Sequence, residues 1–143
     1  MATLHDLTQS LNDYLQNYRR SGFEGLEVSP PYDLFPNNGE KQLGWPDDWP
    51  NATKAGIYAF LDESLAVLYI GKASMSNSLG NRLSNYCKYD KENNGCDFIY
   101  KDWENQPRYV VTVAVPENMR WEAPALEEYF IGKVNPRYNT LGH

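Results

Sequence analysis

At 143 residues, 41% of them apolar, the chain suits one domain with a core of its own and is too rich in apolar side chains to be disordered. It holds no apolar run of about 18 residues and no basic start followed by an apolar stretch, so neither a membrane-spanning helix nor a secretory signal is expected. Two cysteines (Cys87, Cys96) and two histidines (His5, His143) without metal-ligand spacing exclude a disulfide framework and a zinc site, and a reducing, cytoplasmic setting is the expectation.

The net charge of −6 argues against a nucleic-acid partner until its distribution is read. Residues 1–50 hold three Lys/Arg and eight Asp/Glu, whereas residues 51–143 hold ten and eleven. From Ser64 to Tyr89 there are Lys72, Arg82 and Lys88 and no acid, and from Tyr129 to His143 there are Lys133 and Arg137 and again no acid. Two locally basic stretches therefore remain that could face a phosphate backbone.

In chain order, Leu4, Leu7, Leu11, Leu15 and Tyr18 recur at spacings of three and four, which predicts an amphipathic helix over 4–20. Residues 30–50 contain five of the nine prolines together with Trp45 and Trp49. That composition excludes a helix interior and reads as an extended acidic arm packed on the domain by its tryptophans. AGIYAFL and AVLYIGK predict two strands around the polar turn Asp62-Glu63-Ser64. Residues 79–89 predict a helix with Ser78 as N-cap, residues 90–107 a polar loop around Asn93-Asn94-Gly95, residues 108–115 a third strand, and Ala123 to Val134 a last helix stopped before Pro136. The fold class is α+β: a small three-stranded antiparallel sheet flanked by helices, in the order β-β-α-β-α. An N-terminal helix and a Pro/Trp-rich arm (1–50) precede the main domain (51–143).

A turn of two or four residues in the hairpin would place Tyr58 directly across from Tyr69, Leu61 across from Ala66 and Ile57 across from Ile70. Taken alone, a cross-strand aromatic pair is ordinary sheet packing. Arg82 and Tyr86 share one helix face at a spacing of four, and Arg82 alone reads as a solvated surface residue. Lys72 follows Gly71, a glycine that permits close approach. Glu127, Phe130, Ile131 and Val134 put a carboxylate on an apolar stripe, which is costly unless it is paired or binds a metal. A buried ion pair with Arg82 or Lys72 is the competing reading.

Gly56-Ile57-Tyr58 and Tyr69-Ile70-Gly71 are literally GIY and YIG, and the chain resembles the GIY-YIG endonucleases over about residues 54–141. Lys72 after the second triplet, Arg82 and Tyr86 on the helix, Glu127 in LEEYFIGKVNPRYN and Asn139 in PRYN match the remaining motifs in order. GKAS…NRLSNY and LEEYFI…NPRYN are similar to the nuclease domain of the bacterial excision-repair enzymes. The resemblance implies a DNA endonuclease in which Glu127 holds a single Mg²⁺ (or Mn²⁺) and Arg82 binds the scissile phosphate. It implies Tyr58 as general base or as orienter of the attacking water, with a route through hydroxide on the metal left open. Tyr69, Tyr86 and Lys72 would complete the pocket, and Asn139 would hold Glu127 or the tail. An alternative is a catalytically idle module that binds nucleic acid or a protein; such modules would be expected to lack the arginine or the glutamate. With no separate DNA-reading motif in sight, the expected partners are DNA and a protein that supplies specificity.

Overall fold

The computed structural model describes residues 1–36, 43–90 and 95–139. The elements are α1 (Leu4–Asn17), β1 (Glu27–Val28), β2 (Tyr32–Asp33), β3 (Gly56–Leu61), β4 (Val67–Ala73), α2 (Leu79–Tyr86), β5 (Cys87–Asp90), β6 (Gly95–Phe98), β7 (Tyr109–Ala114) and α3 (Glu122–Val134). Short 3₁₀ turns lie at Glu117–Met119 and Arg137–Asn139. The class is α+β with antiparallel pairing throughout the named strands, and β7-β3-β4 form the three-stranded centre. β1, just before the expected arm, and β2, inside it, extend the sheet by pairing with the other edge of β7.

All six residues of β3 are buried, because both faces of the sheet are covered. On one face Ile57, Ala59, Leu61, Val67, Ile70, Val111 and Val113 meet Leu7 and Leu11 of α1 and Ala123, Leu126, Phe130 and Val134 of α3. On the other, Tyr58, Phe60, Ala73 and Val110 meet Leu79, Leu83 and Tyr86 of α2, the β5–β6 pair and the arm residues Tyr32, Leu34 and Trp45.

Several predicted boundaries shift. α1 stops at Asn17, and its packed side is Leu4, Leu7, Leu11 and Tyr14, with Tyr18 68% exposed. Arg19, just past the helix, turns instead to Glu122. The helix expected over 79–89 ends at Tyr86. Cys87 is already extended (φ −121°, ψ 120°), and β5 pairs with β6 inside the expected loop. Cys96 and Phe98 alternate inward there, a short pattern diluted by polar neighbours; residues 91–94 of the expected loop lie outside the described residues. Ser78 does cap α2, its Oγ accepting from the Asn81 N–H at 3.3 Å.

The β3–β4 register also differs. Asp62 N–H donates to Ala66 and Leu65 N–H to Asp62, so three residues form the turn, with Leu65 left-handed at φ 67°. A bulge then places both Val67 and Leu68 where one residue would serve. The net slip sets Tyr58 opposite Gly71, Tyr69 opposite Phe60, Ile57 opposite Lys72 and Leu61 opposite Val67. Tyr58 and Tyr69 are therefore diagonal neighbours on one face, with ring centroids 6.5 Å apart, and not a direct pair.

β4 is the outer strand of the sheet, and its edge is partly covered. Val67 N–H donates to Ala2, Leu4 N–H donates to Leu65, and farther along the Asn139 amide takes both main-chain groups of Ile70, accepting its N–H at 2.7 Å and donating to its carbonyl at 2.9 Å.

Candidate active site

Two glycines let the hairpin bring its tyrosine inward. A Cβ on Gly56 (φ 159°) would lie 2.0 Å from the Val113 carbonyl oxygen, so only glycine allows β7 so near. A Cβ on Gly71 would lie 2.3 Å from both Cζ and the hydroxyl of Tyr58. The close approach that Gly71 permits is thus the Tyr58 ring, lying across the neighbouring strand.

Tyr58, fully buried, donates to the Tyr86 hydroxyl at 2.9 Å. Arg82 Nη2 donates to Tyr58 at 3.3 Å and, at the limit, to Tyr86 at 3.5 Å. Tyr69 packs beside Tyr86, their rings 6.1 Å apart. These four side chains come from β3, β4 and α2 and share one face of the sheet. Burial pushes the Tyr58 hydroxyl above its ordinary range. The Tyr86 hydrogen bond and the Arg82 charge pull the other way without cancelling it. Burial likewise raises Tyr69 and Tyr86.

Arg82 is half-buried, and no carboxylate pairs with it among the described residues. Its Nε is buried with no hydrogen-bond partner. The salt bridges of the described residues do not include the one weighed between Glu127 and Arg82 or Lys72.

Lys72 lies across the sheet from the tyrosines. It pairs with Ile57, whose side chain belongs to the α1/α3 core, and strand alternation puts Lys72 on that side. Glu127 comes from α3 on the same side. After burial and Tyr86, its charge contributes to raising Tyr69 across the outer strand β4. The arrangement straddles that strand. Asn139, 3% exposed, sits on it as a clamp on Ile70, beside Tyr69.

The stripe expected on α3 needs correction. Its buried line is Ala123, Leu126, Phe130 and Val134, and Glu127 is half-buried next to it. The fully buried acid is Glu122, 2% exposed, which no periodicity marks because it opens the helix. Glu122 accepts from the Tyr14 hydroxyl at 2.5 Å and from Arg19 at 2.8 and 3.2 Å. Aromatic neighbours of the site that sequence reasoning missed are Trp103, 5.9 Å from Tyr69, and Tyr100, 5.9 Å from Tyr86. Both lie in a stretch without periodicity, where no sequence signal singles them out.

Among the described residues no three His, Cys, Asp or Glu side chains converge. A single half-buried carboxylate does not suit a closed cage of protein ligands. It does suit a hard divalent cation that keeps most of its waters.

Residues 54–140 match the family model described as the UvrC-like GIY-YIG domain. The chain is similar to UvrABC system protein C of Rickettsia prowazekii (strain Madrid E), 36% identical over 87 residues, which are 61% of this chain and 12% of that protein. It is similar to the same protein of Bartonella henselae (strain ATCC 49882 / DSM 28221 / CCUG 30454 / Houston 1), 34% identical over 88 residues, 62% of this chain and 12% of the relative. The matched region is thus a small part of these relatives' length.

Proposed function

This chain belongs to the UvrC-like GIY-YIG domain family, a family of nucleases, and on that premise we propose that it is a metal-dependent DNA endonuclease hydrolysing phosphodiester bonds with a single Mg²⁺ held by Glu127. The observation that carries the reading is Arg82: a cation unpaired with any described carboxylate, held at the Tyr58 and Tyr86 hydroxyls with its Nε lacking a partner. A phosphate is the group that such a guanidinium lacks.

Arg82 binds the scissile phosphate and offsets charge developing on it. Tyr58 orients the attacking water through its hydroxyl, a role that suits a phenol kept protonated by burial. Tyr86 and Tyr69 hold that hydroxyl and the arginine in place. Lys72 adds positive charge at the strand edge, and Asn139 positions β4 under Tyr69. Glu127 holds the cation, and Mn²⁺ suits the same oxygen donor. When bound, the metal supplies polarisation of a phosphate oxygen and a more acidic water.

The division into an N-terminal part (1–50) and a nuclease part (51–143), the cytoplasmic setting, a role in DNA repair and a protein partner that supplies specificity belong to the same proposal. No helix among the described residues is long and apolar enough to cross a membrane.

The test is cleavage of supercoiled plasmid with Mg²⁺ or Mn²⁺. Activity should vanish with EDTA and in Glu127→Ala, and should fall by about 10²–10³-fold in Arg82→Ala. Wild-type cutting that survives both substitutions would remove the basis of the proposal.

A further inference from the structure

A cavity of about 500 Å³ opens where the arm passes the first turns of α2, away from the tyrosine group. Trp45, Trp49 and Tyr89 line it together with Asp47, Asp48 and Ser84. The Trp45 and Trp49 rings lie 5.2 Å apart with planes at 53°, and Tyr89 lies 6.0 Å from Trp45. Asp47 and Asp48 are exposed, and among the described residues neither carboxylate has an ion pair or a side-chain hydrogen bond. Among the described residues no lysine or arginine lines the cavity.

Aromatic faces carry negative charge density, and two uncompensated carboxylates add to it. Such a slot repels a phosphate backbone and attracts a cation. A planar guanidinium fits best, because it stacks on rings while its edge donates to carboxylates. The two indole N–H groups differ in their surroundings. Trp49 Nε1 donates to Ser84 at 3.1 Å, whereas Trp45, 8% exposed, leaves its Nε1 buried without an acceptor.

We propose that this cavity is the docking site for an arginine-bearing peptide segment of a partner protein. The guanidinium lies against the Trp45, Trp49 and Tyr89 rings beside Asp47 and Asp48. The site needs no nuclease activity, so it stands or falls separately from the reading of the tyrosine group.

The experiment follows the indole signals in ¹H–¹⁵N spectra of the full chain during titration. The probes are a short arginine-rich peptide, its lysine and glutamine counterparts, and a short oligothymidylate. The arginine peptide should move the Trp45 and Trp49 signals, the lysine peptide should bind more weakly, and the glutamine peptide should leave them in place. Asp47→Asn with Asp48→Asn should weaken binding by about fivefold or more, and Tyr89→Ala should weaken it also. Both aspartates are exposed and make no side-chain hydrogen bonds, so the double variant should melt like the parent. Glu127→Ala should bind as the parent does. Indole signals unmoved by the arginine peptide, equal affinity in the aspartate variant, or tighter binding of oligothymidylate would each overturn the proposal; the last would make the cavity a nucleobase slot.

Discussion

Tyr58 shows how much one side chain depends on its neighbours. Its hydroxyl is buried against Tyr86 and Arg82, and burial holds its pKa above the ordinary phenol value of 10.0. A general base with so high a pKa would be ionised tenfold more for each pH unit gained, so its rate would climb without plateau to pH 9 and beyond. An orienting phenol stays protonated across that range. Cleavage rates from pH 6 to 9 should therefore differ between wild type and Tyr58→Phe by a constant factor of about 10²; a gap that widens with pH would make Tyr58 the base. Gly71 is tested in the same site. In Gly71→Ala the new Cβ falls 2.3 Å from the Tyr58 ring, which is already fully buried and has no room to retreat. A loss of about 1–3 kcal/mol is expected, read by thermal melting, with loss of cleavage as the hydroxyl leaves Arg82. The residue types of this site are legible in the triplets and in the spacing of Arg82 and Tyr86. The contact between Tyr58 and Gly71 is not, because a three-residue turn and a bulge at Leu68 shift the pairing.

Among the elements, α1 and α3 are joined by a buried carboxylate. Glu122 and Arg19 are 2% and 5% exposed in their side chains, and Tyr14 donates to the same carboxylate. Glu122→Ala would strand a buried guanidinium, so a loss of about 3–5 kcal/mol is expected, measured by urea unfolding. Glu122→Gln should cost less, since it keeps an acceptor for both donors. Plasmid cleavage per folded molecule should stay near the parent value, because the hydrogen bonds of Glu122 are with Tyr14 and Arg19 and, among the described residues, not with Glu127, Lys72, Arg82 or the tyrosine group. Helical periodicity predicts α1 and α3 well. It does not single out which acid of α3 is buried, since that depends on Arg19, more than a hundred residues away in sequence. The β5–β6 pair escapes sequence reading for a related reason: each strand is only four residues long, and its inward side chains Cys87, Cys96 and Phe98 become meaningful only against Phe60 and Tyr86.

For the whole molecule, residues 1–50 supply two strands to the β7 edge, the Asp33 carboxylate that takes Arg108 at 2.7 and 2.9 Å, and the Tyr32 and Leu34 side chains packed in the second core. Deleting them should leave an unpaired β7 edge and an uncovered apolar face. We expect the shortened chain to be insoluble or to lose its cooperative melt by circular dichroism. A soluble, folded fragment with higher DNA affinity and a steeper salt dependence would instead make the arm an inhibitory cover. The sequence by itself determined the antiparallel α+β class, the order of the central strands and helices, and the set of residue types around the proposed site, because these rest on local periodicity, glycine positions and short motifs. Tertiary structure alone decided that Lys72 and Glu127 approach from the opposite side of the β4 edge, that Arg82 is left without a carboxylate among the described residues, and that Trp45 and Trp49 border an acidic cavity. Each of these depends on where separate segments meet once both faces of the sheet are buried, and no spacing along the chain carries that information.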